Sequence, residues 1–256
     1  GCNVTLALPS ATWTINSLAP MTINHASIPA GDTNTDTILV AYGNTNGTTQ
    51  GDGIVSQGAT NAYTVQTASS FAANDRVIAA PQTRAATCNL TLDYVGNVAG
   101  QIVTVNTGVS GMASGTLFNL GQAPKIYAYA IRNGDLTQCD YIANNCSLTA
   151  SVTNSTIWVQ IGGNLPILRA QYGRDTTSPM DGYVEVFDQT APTTACAFAR
   201  ISAARVAVVA RSAQLERTAV TTVAPVWEGT TVQTSLSPTN PTALPIVLSG
   251  NSTWQN

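Results

Sequence analysis

The sequence predicts a mainly β fold, built from antiparallel sheets with little helix. Three observations predict it. Charged residues make up 9% of the 256 residues, against roughly a quarter in ordinary soluble domains. Thr, Ser, Asn and Gly stand in their place, and these favour strands and turns over helices. Apolar residues come in short runs of period two, the spacing of a half-buried strand. The length fits one large β domain or two lobes sharing a core, and it buries a sizeable core without help from cross-links. A Gly-rich segment, 111–123, divides the chain into candidate lobes of about 1–110 and 123–256 within a single globular head.

In chain order, residues 37–42, 76–79, 90–94, 102–105, 125–131, 158–161, 167–172 and 183–187 read as strands. Turn signals separate them at 44–47, 51–53, 96–97 and 106–108. Asn133-Gly134 predicts a type I′ hairpin between 125–131 and 135–141, because both residues tolerate positive φ. The β-branched run 201–211 reads as a strand rather than a helix. Ala204, Val206, Val208 and Ala210 would face the core; Arg205 and Arg211 would lie on the opposite face, toward solvent or a partner. Helical signal is thin: 66–74 predicts one or two turns. The Pro-, Thr- and Ser-rich stretch 229–245 predicts an extended loop.

Several function classes lack their signatures. The formal net charge is −3, and no segment gathers Arg and Lys into the basic patch of a nucleic-acid binder. No run reaches the ~20 apolar residues needed to cross a bilayer. Gly1-Cys2-Asn3 opens without a basic or apolar targeting stretch, so an exported protein would carry its targeting segment elsewhere. His25 is the single histidine, which starves hydrolase triads of a base. No nucleophile elbow or phosphate-binding glycine loop is present. The chain reads as a non-enzyme that needs no cofactor. Asp175 and Asp181, with Glu185 and Asp188 beyond, form the one candidate metal loop. Calcium asks for six to eight oxygens, and the residues between the two aspartates are Thr, Thr, Ser, Pro and Met. A polar connecting loop is the plainer reading. Trp13, Trp158, Trp227 and Trp254 are spread too widely to form a stacking platform.

Five cysteines are present: Cys2, Cys88, Cys139, Cys146 and Cys196. Zinc sites want closely spaced pairs with further Cys or His ligands, which this chain lacks. Cys139 and Cys146 bracket a short polar loop and read as a local disulfide. Cys2 and Cys88 are a second candidate pair, which leaves Cys196 over; sequence does not fix the connectivity. Disulfides persist in oxidising compartments, so the reading is periplasmic or extracellular.

Stretches TDTILVAYGN (35–44), GDGI (51–54), GTLFNLG (115–121), IYAYAIR (126–132), LRAQYGRDT (168–176) and SAARVAVVARS (202–212) occur in order along the chain. Together they resemble the PilW family of type IV pilus minor pilins. Members read L-x-A-x-Y-G-x-D-T and then A-V-R-(V/I)-A-L-L-x-R-S, and those two stretches are the most specific. The family is related to the J-type pseudopilins of type II secretion. The resemblance implies a pilin-like globular head and a role in pilus assembly or initiation near the tip. It implies contacts with other minor pilins, the major pilin and a large tip adhesin. It also implies an N-terminal hydrophobic helix that anchors the precursor in the inner membrane, and a final strand beyond Asn256; both lie outside this sequence. Without that strand, an exposed sheet edge is expected to favour strand pairing between copies. The loop at Asp175 and Asp181 has fewer Asp and Gly than the family's. A secreted adhesin that recognises a surface ligand is the competing reading.

Overall fold

In a computed structural model, the alternation of apolar and polar residues resolves into strands throughout the residues described, 2–7, 12–45, 47–83 and 88–212. In chain order these are β1 (Cys2–Ala7), β2 (Thr12–Leu18), β3 (Met21–Ile23), β4 (Ile38–Tyr42), β5 (Asp52–Ala59), β6 (Ala62–Val65), β7 (Arg76–Ala80) and β8 (Asn89–Ala99). They continue with β9 (Ile102–Val105), β10 (Thr116–Gly121), β11 (Lys125–Arg132), β12 (Asp135–Asp140), β13 (Val159–Gly162), β14 (Ile167–Arg174), β15 (Val186–Asp188) and β16 (Ile201–Val209). The fold is mainly β with mostly antiparallel sheets. Among the described residues, helix is confined to α1 (Ala195–Ala199) and 3-10 turns at Ala68–Ser70 and Thr149–Ser151. The stretch 66–74 therefore holds a single turn. No helix among the described residues is long and apolar enough to cross a membrane.

The chain divides into two compact units, with boundaries unlike the expected lobes. One comprises Gly1–Pro20 and Val40–Ile126; the other comprises Met21–Leu39 and the chain from Tyr127 onward. The Gly-rich segment 111–123 is not a linker. Its middle, Thr116-Leu-Phe-Asn-Leu-Gly121, alternates in burial and forms β10 between β7 and β5.

In the first unit, pairing runs β8-β7-β10-β5-β6-β9 and returns from β9 to β8, closing a ring of strands. The length of β8 makes this possible: Leu92–Tyr94 pair with β7, while Val95–Ala99 pair with β9. Alternate residues of each strand fill the interior, among them Ile54, Tyr63, Val77, Val95, Val103 and Leu117. Each such side chain contributes about 1.5–3 kcal/mol when fully buried. Asp93 is buried too, but its Oδ2 accepts the amides of Thr107 at 2.9 Å and Gly108 at 2.7 Å. Gly108 has φ +71°, and a Cβ there would lie 2.3 Å from the Thr60 carbonyl oxygen. Only glycine fits this turn. The β1–β2 hairpin extends the sheet through a parallel pairing of β1 with β8.

In the second unit, the expected hairpin forms with Arg132 opposite Asp135. Asn133 and Gly134 have φ of +54° and +77°. The turn is held from outside the hairpin: Asp32 accepts the amides of Asn133 at 3.0 Å and Gly134 at 2.7 Å. The hairpin belongs to a sheet ordered β13-β12-β11-β4-β3. A second sheet is ordered β15-β14-β16. Its central strand β14 is buried along both faces from Ile167 to Gly173. One face carries Leu168, Ala170 and Tyr172; the other carries the polar side chains of Arg169 and Gln171.

Segment 21–39 laces onto β14 through Asp36, which is 2% exposed. Its Oδ1 accepts Asn24 Nδ2 at 3.0 Å and lies 3.5 Å from Arg169 Nη1. Its Oδ2 accepts the amide of Ala170 at 2.9 Å and Gln189 Nε2 at 2.5 Å. The Tyr172 hydroxyl accepts the amide of Ile23 at 2.6 Å. A buried carboxylate is tolerated because one opposite charge and three hydrogen-bond donors meet it at once.

Candidate functional site

The residues singled out in the sequence fall into three groups. The cysteines come first. Cys2–Cys88 and Cys139–Cys146 are both within disulfide bonds. The first ties β1 to the residue preceding β8; the second ties the end of β12 to the loop that follows. Cys196 is free and exposed on α1, whose first turn is capped by Thr194 Oγ1 accepting the amide of Ala197 at 3.1 Å.

The acidic loop is the second group. Carboxylate oxygens of Asp175, Asp181 and Glu185 lie within 4.8 Å of one another. Each carboxylate already receives donors from the loop itself. Asp175 Oδ1 accepts the Thr177 amide and hydroxyl at 3.1 and 2.8 Å, and Oδ2 accepts the Gly182 amide at 2.7 Å. Glu185 Oε2 accepts the Thr176 amide at 2.6 Å, and Asp181 Oδ1 accepts the Tyr183 amide at 3.0 Å. Arg200 Nη1 donates to the carbonyls of Asp175 and Thr177. The hydrogen bond from Gly182, then that from the Thr177 hydroxyl, holds the Asp175 carboxyl below its usual range. These acids fold the loop, as capping groups do in any turn rich in Asp and Thr. Asp188 lies apart from the trio, paired with Arg174 Nε at 2.9 Å.

The third group is β16, and here the structure reverses the expected faces. Val206 is 48% exposed and Val208 46%, and Ala204 and Ala210 are exposed as well. Arg205, assigned to the exposed face, turns inward instead. Its Nε and Nη2 donate to Gln171 Oε1 at 3.2 and 2.6 Å, and its guanidinium lies over the Phe187 ring. The reason is the register. Arg205 stands opposite Gln171, and Val206 opposite Ala170, so Arg205 shares the polar face of β14. A guanidinium satisfies Gln171 there and still stacks on an aromatic ring. The row of small apolar residues takes the other face at the sheet's edge, beyond the cover that buries Leu168, Ala170 and Tyr172. Arg211 follows the strand, half-buried, with its amide donating to Asn164 O at 2.8 Å. Of the two arginines expected to face solvent or a partner, Arg205 instead lies against Gln171 and Phe187. The outward residues are Ala204, Val206 and Val208, whose period-two spacing was visible in the sequence while their direction was not.

His25 is buried, and its Nδ1 accepts the amide of Ser27 at 3.1 Å, which makes it part of a turn. Trp158 is buried under Arg132, whose guanidinium carbon lies 4.2 Å from the ring centre. The stretch 229–245 lies outside the described residues.

No family model, curated protein or solved structure matches this chain. The geometry is that of a surface. It offers an apolar strand edge, and an acid-capped loop that exposes Met180 and Tyr183.

Proposed function

We propose that this chain is the globular head of a type IV pilus minor pilin of the PilW type. It acts through protein–protein contacts in pilus assembly and initiation rather than through catalysis. One observation carries the reading. The two stretches with the most specific likeness, 168–176 and 202–212, are not scattered; they supply β14 and β16, adjacent strands in continuous register from Ile167↔Val209 to Tyr172↔Ala204. Motifs that converge on one sheet are what a shared architecture produces, and chance matches in a Thr- and Ala-rich chain would have no reason to pair. The apolar residues on that sheet's edge suit a protein made to be contacted.

On this reading the partners are other minor pilins, the major pilin and a large tip adhesin. The precursor is held at the inner membrane by a helix outside this sequence, with its head in the periplasm, and it becomes extracellular in the pilus. The disulfides are consistent with that oxidising route.

Deleting the gene tests the proposal. The expected result is loss of surface pili and twitching, restored by a plasmid copy. Normal piliation and twitching after deletion would sink it. Normal piliation with lost surface attachment would favour the adhesin reading.

A further inference from the structure

Asparagine followed by glycine is the dipeptide most prone to lose ammonia, because glycine has no side chain to shield the attacking nitrogen. The chain contains two such pairs, Asn46-Gly47 and Asn133-Gly134. At the second, Asn133 is exposed, and a Cβ on Gly134 would meet no atom within 4 Å beyond its chain neighbours. Steric cover therefore gives it no protection. The reaction asks two things of Gly134. Its nitrogen must shed a proton, and the 133–134 peptide must swing until that nitrogen faces Cγ of Asn133.

The fold opposes both. The Gly134 amide donates to Asp32 Oδ2 at 2.7 Å, and the Asn133 amide donates to Oδ1 at 3.0 Å. A hydrogen bond to a carboxylate favours the protonated amide over the anion that attacks. The Gly134 carbonyl accepts the Leu165 amide at 2.8 Å, so the residue is held at its nitrogen and at its oxygen. Asp32 is itself fixed on the hairpin. Its amide donates to the Ile131 carbonyl at 2.8 Å, and Arg132 Nη1 and Nη2 donate to the carbonyls of Ala30 and Pro29, each at 3.0 Å.

We propose that Asn133-Gly134 is a latent modification site and that Asp32 keeps it unreacted in the folded chain. Once released, the Gly134 nitrogen attacks Cγ of Asn133. A new C–N bond closes a cyclic imide, the bond from Cγ to Nδ2 breaks, and ammonia leaves with the proton that Gly134 shed. Water then opens the imide at one carbonyl or the other, which gives aspartate or isoaspartate at 133 with no change of oxidation state. Either product sets a second carboxylate in the turn beside Asp32, and like charges repel. Isoaspartate also adds a backbone carbon to a two-residue loop whose length sets the hairpin register. Isoaspartate at 133 is therefore the mark of a chain in which residues 21–39 have not closed on the hairpin. The inference rests on the hydrogen bonds of the turn and stands apart from the pilin reading.

Peptide mapping of the full chain, aged in mildly alkaline buffer, tests it, with isoaspartate counted by an isoaspartate-specific methyltransferase. Conversion at Asn133 is expected to run about ten- to a hundredfold slower in the native chain than in the same chain in urea, the range that one charge-assisted hydrogen bond supplies. Asp32→Ala is expected to raise the native rate at Asn133 by about tenfold or more. Asp32→Asn, which keeps a neutral acceptor, falls between Asp32→Ala and the parent. Asn46-Gly47 lies in the other compact unit, and its rate is expected to be the same in all three proteins. Conversion at Asn133 as fast in the native parent as in urea overturns the inference. So does an Asp32→Ala variant whose rate at Asn133 is unchanged, with Asp32 idle, or slower, with Asp32 a base that helps the attack. An equal rise at Asn46 and Asn133 also overturns it, because general unfolding would then account for the gain.

Discussion

The guanidinium of Arg205 lies 4.2 Å from the centre of the Phe187 ring. The contact joins β16 to β15 across β14, and it seats Nε and Nη2 of Arg205 on the side-chain oxygen of Gln171, a residue with 0% exposure. A residue that looks like surface charge in the sequence is thus a tie within a sheet.

Arg205→Ala is expected to lower stability by about 1–3 kcal/mol, since it strands the buried Gln171 oxygen and uncovers Phe187. Arg205→Lys is expected to recover only part, because an ammonium neither lies flat on the ring nor offers a two-nitrogen fork. Urea melts of the three proteins measure this. Equal stability of Arg205→Ala and the parent would show the tie to be idle.

Asp36 sets a larger stake. Among the described residues, Arg169 is buried with only that carboxylate within ion-pair distance, and its Nε and Nη2 lack hydrogen-bond partners. Asp36→Ala leaves the charge uncompensated and is expected to cost about 3–5 kcal/mol. Asp36→Asn keeps an acceptor for the Ala170 amide and should cost less than Asp36→Ala. The order of the urea midpoints checks the claim; Asn as damaging as Ala would assign the whole effect to charge.

The two disulfides differ in reach. Cys2–Cys88 spans 86 residues and Cys139–Cys146 spans 7. Loop-closure entropy then assigns them about 4–5 and about 2–3 kcal/mol. The paired Cys2→Ala, Cys88→Ala variant should melt below the Cys139→Ala, Cys146→Ala variant. Mass spectrometry of the unreduced chain should recover both cross-linked peptides and leave Cys196 open to alkylation. Cross-links between other cysteines would refute the pairing.

Asp175 predicts acid sensitivity confined to its loop. Its folded pKa lies below the ordinary value, with the Gly182 amide as the leading cause. The stability it contributes is therefore present above the unfolded pKa, near 3.9, and is lost as pH falls through the depressed folded value. The protection of the Thr177 and Gly182 amides, taken relative to their intrinsic exchange rates, should fall below about pH 4, and in Asp175→Asn it should already be reduced at neutral pH. Unchanged protection down to pH 2 would remove Asp175 as the loop's organiser.

Much of the strand content was legible because short apolar runs mark β4, β7, β9 and the start of β14. The Asn133-Gly134 turn dictated its hairpin. β10 was hidden by the glycines on either side of Thr116–Leu120, which read as flexibility although they bound a strand. β5 was hidden by its polar content, Asp52-Gly-Ile-Val-Ser-Gln-Gly-Ala59, and gains its place only by pairing with β6 and β10. The direction of β16 was not legible at all. Period two says that residues share a face, and only the neighbouring strand says which face is covered. Asp32 and Asp36 looked like scattered acids, since their partners lie about a hundred residues or more away.

That last distance has a consequence in time. Residues 21–39 leave the ribosome early, yet Asp36 meets Arg169 and Ala170 only once β14 has followed. At synthesis rates of about 5–20 residues per second the wait is on the order of ten seconds. Residues 40–126 lie between, with all they need for their own closed ring. The inserted unit can therefore mature first, while its flanking segment stays unfinished and must be kept from wrong pairings until its second half arrives.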